Sequence, residues 1–149
     1  MALQAKGVTC GIADPLGSGI FGLYRPDAEK LSGDSITEGI GQGRITANLE
    51  GYNPDFLCQV PDEEALPIVF DLLAHEGLCM GGSTGINIGG AMKLAREMGP
   101  GKTIVTILAD FGTRYQSKLF NPAFLKSKNL PVPDWLERDA RIIPSVFED

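Results

Sequence analysis

An aspartate that directly follows an apolar, β-branched run is the residue of this chain best placed to do chemistry. The run Thr103–Ala109 (TIVTILA) predicts a strand buried on both faces, and its carboxyl end leads to Asp110. In open α/β sheets ligands bind outside the carboxyl ends of the strands, and a partly buried carboxylate there needs a cationic partner. The residues leave two partners open: Arg114 of the same chain, or a protonated ring nitrogen on a cofactor.

The stretch Glu38–Gly43 (EGIGQG) is the first of two glycine-rich segments that a ligand could approach. Its alternating glycines, Gly39, Gly41 and Gly43, remove side chains from one face of the segment. A face without side chains admits a ligand or another stretch of backbone equally well. From the residues alone, a binding loop and a tight structural loop are equally good interpretations.

The second glycine-rich segment, residues 81–85 (GGSTG), precedes a predicted helix. Its N–H groups could bind an anion at the positive end of that helix. It lacks the lysine of a Walker phosphate loop, and it does not form a G-x-G-x-x-G pattern after a convincing strand. Capping of the helix by Ser83 or Thr84 is therefore the favoured interpretation, with anion binding as the alternative.

The histidine and the cysteines give weaker indications of chemistry. His75, the only histidine, comes near the end of a predicted helix, where a surface position beside the helix dipole is expected. Cys10, Cys58 and Cys79 are scattered in apolar surroundings without metal-ligand spacing, which predicts buried free thiols. With one histidine and neither an HExxH nor a Gly-x-Ser-x-Gly motif, zinc hydrolysis and α/β-hydrolase chemistry have little support.

Strands and helices alternate along the chain, which predicts an α/β fold with a parallel sheet. Besides the run before Asp110, strands are expected at Val8–Ala13, Phe56–Val60 and Leu78–Met80. Helices are expected to end at Gly7, to span Leu16–Tyr24, to run from an Asp62 cap to Gly77, and to run from Ser83 or Thr84 to Met98.

The last of these helices has a predicted buried face of Ile88, Met92 and Ala95, with Gly89 and Gly90 permitting close packing. After residue 112 the pattern indicates a polar turn and further short helices, ending in an extended segment that contains proline. Positioning of Asp110 therefore depends on the predicted strand before it and the predicted helix that follows the GGSTG segment.

The composition is that of an ordinary globular protein. The 149 residues are 43% hydrophobic and 21% charged, and 13 basic against 19 acidic side chains give a net charge of −6. An acidic chain without a basic block predicts no nucleic-acid partner. No apolar run approaches the ~20 residues of a membrane span, and the N-terminus lacks the apolar core of a signal peptide. The expected location is cytoplasmic, without a membrane partner.

Three stretches, in consistent order, resemble cysteine synthases and the similar cystathionine β-synthase-type enzymes. They are EGIGQGRITANLEG, PDEEALPIVFDLLAHEGLCMGGSTGINIGGAMKLAREMG and TIVTILADFGTRYQSKLFNPAFLKSKNLPVPDWL. The resemblance covers residues 1–136 and leaves 137–149 as a peripheral tail. It implies the parallel-sheet, three-layer α/β domain of the fold-type II pyridoxal 5′-phosphate (PLP) enzymes, incomplete at the N-terminus. Intact members are expected to be homodimers that form L-cysteine from an activated serine, such as O-acetylserine, and sulfide.

The resemblance also implies roles for individual residues. Asp110 falls where the family places the hydrogen-bond partner of the pyridine nitrogen, which is usually serine in cysteine synthases. A carboxylate there would favour a protonated ring and a stronger electron sink. Gly41 lies in the loop beside the cofactor, and Gly39 and Gly43 lie on the substrate side of that loop. The GGSTG segment resembles the turn that begins the helix under the cofactor cleft.

Three family features have no counterpart in the sequence. They are the Schiff-base lysine in a Ser-x-Lys segment, the Gly-Thr-Gly-Gly-Thr-like phosphate loop and the early substrate loop with Asn and Thr. The chain therefore resembles the C-terminal portion of such an enzyme and has no catalytic residue of its own, so we expect it to be inactive alone. The alternative is a non-catalytic interaction module or one half of a split enzyme. A truncated sheet should also expose apolar surface.

Overall fold

The structure is a computed structural model that describes residues 2–44 and 46–138. Its α/β fold contains a two-stranded parallel sheet of β1 (Gly11–Pro15) and β2 (Phe56–Val60). Strand β2 has the predicted bounds. Strand β1 begins later than the predicted Val8–Ala13, because the backbone of Cys10 is bonded to Asp55 at the turn that leads into β2.

Four α-helices and several short 3₁₀ turns accompany the sheet in the described ranges. The helices are α1 (Ile20–Tyr24), α2 (Asp62–Glu76), α3 (Gly82–Met98) and α4 (Pro122–Ser127). The 3₁₀ turns span Gln4–Lys6, Ala47–Leu49, Gly112–Tyr115 and Asp134–Glu137. As predicted, Gly7 and Gly77 end their helical segments in the left-handed conformation, with φ values of 77° and 70°. No described helix is long and apolar enough to cross a membrane.

Helix α3 packs on both strands and against α2, through its glycines. A Cβ on Gly90 would lie 2.4 Å from the Cβ of Ala13 in β1, and one on Gly89 would lie 2.8 Å from Val60 in β2. The close packing predicted for these two glycines is confirmed. The predicted buried face is wrong, because Met92 and Ala95 are exposed and the buried positions are the first turns and the glycines.

The predicted strand Thr103–Ala109 is not a strand in the structure. The segment has no strand beside it among the described residues, and Val105 and Ile107 are largely exposed instead of buried. The prediction was based on the apolar, β-branched composition of the run, which is typical of a strand covered on both faces. Among the described residues no element covers this segment. The brief strand predicted at Leu78–Met80 is reduced to one antiparallel bridge between Met80 and Phe111.

Two apolar clusters form the core. One joins Leu66 and Phe70 of α2 to Leu119 and Leu125, and the other joins Val60 of β2, Ala65 of α2 and Ile86 of α3. Trp135 packs edge-on against Phe70, with ring centroids 6.1 Å apart, so the 3₁₀ turn that contains it belongs to the core. Of the predicted peripheral tail, residues 139–149 lie outside the described residues.

Candidate functional site

Asp110 follows α3 in the chain but lies in space beside the first turn of that helix, and three groups bind it. The Gly81 N–H donates to the Asp110 carbonyl at 2.7 Å, and the Ser83 hydroxyl donates to the carboxylate Oδ1 at 3.1 Å. The Tyr115 hydroxyl donates to the other carboxylate oxygen, Oδ2. A Cβ on Gly81 would lie 2.5 Å from Asp110 Oδ1, so only glycine allows this approach. Both oxygens of the carboxylate are therefore fixed in direction.

The structure changes two predictions for this region. Arg114, one of the two partners left open for Asp110, is exposed and forms no ion pair with it among the residues described. Ser83 and Thr84 do not cap α3, since Gly81 is the residue before the helix and no side chain bonds its free N–H groups. Instead, Ser83 binds Asp110, and the Thr84 hydroxyl accepts the Ala109 N–H at 3.1 Å. The side chains of the first turn thus position the residues around Asp110.

Tyr115, which no pattern in the sequence indicated, contacts Asp110 from the 3₁₀ turn that follows. Its hydrogen bond to the Asp110 carboxylate raises the pKa of the Tyr115 hydroxyl above the usual range. A raised pKa means that the folded state favours the protonated phenol. As far as titration of the phenol is concerned, the stability from this bond is fully present below the unfolded pKa of about 10. This contribution is lost as the pH rises through the folded pKa.

We expect the substitution Asp110→Asn to lower the pKa of Tyr115 toward its usual range, because it removes the carboxylate that accepts the Tyr115 hydrogen bond and whose negative charge opposes the phenolate. The measurement is phenolate absorbance during a pH titration, and subtraction of the Tyr115→Phe titration isolates this one tyrosine. The control is Asp71→Asn, which neutralises an exposed acid on α2. An unchanged Tyr115 titration in Asp110→Asn would contradict the hydrogen-bonded geometry.

The glycine loop, residues Glu38–Gly43, lies beside an open cleft of about 860 Å³. Gly41 and Gly43 line this cleft, whereas Gly39 and Asp110 are not among its lining residues. Gly41 has φ +78°, and a Cβ there would lie 2.9 Å from side-chain atoms of Ser18 and Pro15. The packing of the loop therefore requires glycine at this position. Gly43 has open space around its Cα. The structure thus places Gly41 and Gly43 together and Asp110 at a separate position.

Two contacts connect the glycine loop to the region of Asp110. A Cβ on Gly82, the first residue of α3, would lie 2.7 Å from the hydroxyl of Thr37. The Glu38 carboxylate forms an ion pair with Lys118, which follows the 3₁₀ turn of Tyr115 and also lines the cleft. These contacts join the beginning of the loop to both segments that bind Asp110.

Asp62 anchors the glycine loop on the protein core, a role that the sequence did not indicate. It was expected to cap α2, but it is the first residue of the helix, and its side chain is buried. Its carboxyl group accepts the Ser35 hydroxyl at 2.6 Å and the Ile36 N–H at 2.7 Å. The segment before Glu38 is therefore bound to the start of α2, which fixes one wall of the cleft.

The remaining candidate residues have structural roles in the described chain. A Cβ on Gly85 would lie 2.3 Å from the Ala65 carbonyl oxygen, so this glycine of the GGSTG segment serves the contact between α2 and α3. His75 is exposed in the last turn of α2, as predicted. The three cysteines are free thiols, as predicted, but each is only partly buried. The described residues contain no cluster of potential metal ligands.

Comparison with solved structures identifies the class of protein to which this fold belongs. The structure is similar to the crystal structure of an O-acetylserine dependent cystathionine β-synthase from Helicobacter pylori, with a TM-score of 0.60 and 30% identity. The match covers 70% of this chain and 32% of that one. The fold is therefore that of a fragment of the fold-type II PLP enzymes, as the resemblance implied.

Sequence relatives identify the family within that class. The chain is 42% identical to Cysteine synthase 1 of Emericella nidulans over 144 residues, which is 91% of this chain and 39% of the relative. It is 39% identical to a Cysteine synthase of Dictyostelium discoideum over 133 residues, 83% of this chain and 35% of the relative. No family model matches. The chain is a homologue of the cysteine synthases and spans somewhat more than a third of the length of these relatives.

Proposed function

We propose that this chain supplies the ring-nitrogen partner and the substrate-side glycine loop of a cysteine synthase-like, PLP-dependent β-replacement enzyme. The reaction would form L-cysteine from an activated serine, such as O-acetylserine, and sulfide. The observation that carries the proposal is the Asp110 carboxylate, oriented at the start of α3 by two hydroxyl donors in a cysteine synthase homologue. Such a carboxylate suits a protonated ring nitrogen.

The residues present fit one end of PLP. The Ser83 and Tyr115 hydroxyls use two of roughly four acceptor positions on the Asp110 carboxylate, which leaves acceptor capacity for a ring N–H. When bound, PLP supplies the electron sink that stabilises negative charge at the carbon atoms of the substrate. The contribution of Asp110 is to keep a proton on the ring nitrogen, and Ser83 and Tyr115 keep its carboxylate in one orientation.

The glycine loop would receive the amino-acid substrate on the cleft side. Gly41 and Gly43 line the cleft without side chains, which permits close approach of a small polar molecule to the backbone. Asp62 keeps the loop in place through Ser35 and Ile36. We infer that Gly39, which has φ +79° and open space where a Cβ would lie, shapes the loop toward the substrate.

The chain alone is proposed to be inactive, because its sequence contains neither the Schiff-base lysine segment nor the phosphate loop of the family. Two lysines, Lys118 and Lys128, do line the cleft, and the ammonium group of Lys118 is engaged by Glu38. The second candidate function is one half of a split enzyme, or an interaction module that joins a complete subunit. The exposed apolar segment before Asp110 favours it.

The test is titration of the purified chain with PLP, followed by visible absorbance, borohydride reduction and mass mapping of labelled lysines. Turnover of O-acetylserine and sulfide is measured in parallel. We expect no saturable band, no single labelled lysine and no turnover above the rate with free PLP. A saturable band with one labelled lysine that disappears in Lys118→Ala or Lys128→Ala, or turnover at an ordinary enzyme rate, would overturn the inactivity of the chain alone.

A further inference from the structure

The end of the glycine loop is bound by the turn between β1 and α1, residues 16–19. The Ser18 hydroxyl accepts the Gln42 N–H at 3.1 Å, and the Gly19 N–H donates to the Gln42 carbonyl at 2.7 Å. A Cβ on Gly41 would lie 2.9 Å from the side chain of Ser18. Because both polar backbone groups of Gln42 bind this turn, the turn determines where the end of the loop lies.

Asp14 holds this turn closed from inside the protein. It belongs to β1, its side chain is fully buried, and its Oδ2 accepts the Phe21 N–H of α1 at 2.9 Å. The first N–H groups of a helix have no partner within the helix, and Asp14 supplies one. The hydrogen bond joins the strand to the helix, and the turn that binds Gln42 lies between them.

The other oxygen of the Asp14 carboxyl group, Oδ1, is buried and has no hydrogen-bond partner among the described residues. Burial raises the pKa of Asp14 above its ordinary range, although the Ser18 hydroxyl and the Phe21 N–H oppose the rise. The fold therefore favours the neutral acid. An apolar side chain would avoid the cost of burying an unpaired oxygen, so core packing alone does not account for an aspartate here. The bond to the start of α1 does.

We propose that Asp14 is a positioning residue for the end of the glycine loop and acts through the turn between β1 and α1. This inference rests on the proposed function, in which the loop receives the amino-acid substrate. Asp14 is not among the residues that line the cleft, so its effect on a bound substrate is indirect. The residues that transmit it are Ser18 and Gly19, which hold Gln42 at the cleft.

Two buried aspartates would then hold the loop at its two ends. Asp62 binds the segment before Glu38, and Asp14 closes the turn that binds Gln42. Asp14 lies opposite Gln59 in the register of the parallel sheet, and Asp62 follows β2, so both lie at the carboxyl edge of the two strands. This is the edge at which α/β sheets bind ligands. A loop held at both ends has less freedom to lose when a substrate binds.

The test is hydrogen exchange of individual amides, followed by NMR in the full chain without PLP or substrate. In Asp14→Ala the Gln42 amide should exchange about tenfold faster than in the wild type, beyond any change at the core amide of Val69. The reason is that the turn loses the bond that closes it. An unchanged Gln42 amide would overturn the proposal. Equal acceleration at Gln42 and Val69 would overturn it too, since Asp14 would then serve global stability alone.

Asp14→Asn is the conservative variant, because its amide oxygen can accept the Phe21 N–H as the neutral acid does. Exchange at Gln42 should stay within about twofold of the wild-type rate. Acceleration as large as in Asp14→Ala would contradict a role through this hydrogen bond.

The matched control is Gln59→Ala, which removes a buried side-chain acceptor from the neighbouring strand. Gln59 accepts the Leu31 N–H at 2.8 Å, so exchange should become faster at Leu31 and stay unchanged at Gln42. Faster exchange at Gln42 in both Gln59→Ala and Asp14→Ala would indicate general loosening of the sheet edge and would contradict a specific role of Asp14.

Ser18→Ala tests the turn without changing the buried carboxyl group. It removes the acceptor of the Gln42 N–H, so this amide should exchange about tenfold faster, and unchanged exchange would overturn the proposal. In the Ser18→Ala background, Asp14→Ala should add no more than about twofold. Equal acceleration in both backgrounds would mean that Asp14 acts by another route. None of these measurements involves PLP or turnover, so failure of the proposed function would leave their outcome unchanged.

Discussion

Replacing Gly85 with valine should destabilise the protein by about 3 kcal/mol, because the new side chain has no space between α2 and α3. A Cβ at this position would lie 2.3 Å from the carbonyl oxygen of Ala65 and 2.9 Å from its carbonyl carbon. These are backbone atoms of a helix, so they cannot move aside as a flexible side chain would. The two helices must separate, which opens the cluster of Val60, Ala65 and Ile86. Urea denaturation followed by circular dichroism measures the loss.

The control for this change is Gly43→Val. Gly43 has no heavy atom within 4 Å of an added Cβ, and its φ lies outside the left-handed region. We therefore expect a stability change within about 0.5 kcal/mol. If Gly85→Val and Gly43→Val shifted the denaturation midpoint equally, close packing of α2 on α3 would be disproved as the source of the effect.

The contact between these helices shows what the sequence could indicate and what it could not. Glycines at positions 89 and 90 predicted close packing, and the structure confirms it. The apolar pattern, however, pointed to Ile88, Met92 and Ala95 as the buried face. A glycine contributes little to an apolar pattern even when its backbone makes the closest contacts. The hydrophobic periodicity therefore could not predict which face of α3 packs against the sheet and α2.

Local signals predicted the elements that depend on local interactions. Strand β2 and the end of α2 at Gly77 have the predicted positions, because turn chemistry and a left-handed glycine specify them within a few residues. The prediction of a strand at Thr103–Ala109 was wrong because a strand needs a neighbouring strand to pair with, and the composition of a segment does not reveal whether one is present. The apolar residues of the segment suit a buried position, but in the described chain they are exposed to solvent.

The same limit of local signals applies to the contacts around the candidate residues. Asp110 was chosen because it ends an apolar run, and the structure does place it at the start of α3 with both oxygens bound. Tyr115 was missed because its hydroxyl reaches back over a 3₁₀ turn, a spacing of five residues that forms no recognised motif. Asp62 was assigned to its own helix, while its carboxyl group binds a segment more than twenty residues earlier. Contacts between distant segments leave no local pattern.

Replacing Asp62 with alanine should release the glycine loop and cost about 2 kcal/mol of stability, since the Ile36 N–H and the Ser35 hydroxyl would lose their buried partner. Both donors contact the carboxyl group at 2.7 Å or less, and the Asp62 side chain is only 3% exposed, so water cannot fully replace it. The loss of stability is measured by urea denaturation. Hydrogen exchange of the Ile36 amide should become faster by more than the global loss of stability explains.

Glu63→Ala is the matched control for the loop, since it removes the adjacent acid from the same helical turn. Glu63 is exposed, and its contribution is the favourable interaction with the helix dipole, about 0.3–1 kcal/mol. It should therefore cost less than Asp62→Ala and leave exchange at Ile36 unchanged. Faster exchange at Ile36 in both variants would mean that the charge at the start of α2 orders the loop. Faster exchange only in Asp62→Ala would show that the two hydrogen bonds place the loop beside the cleft.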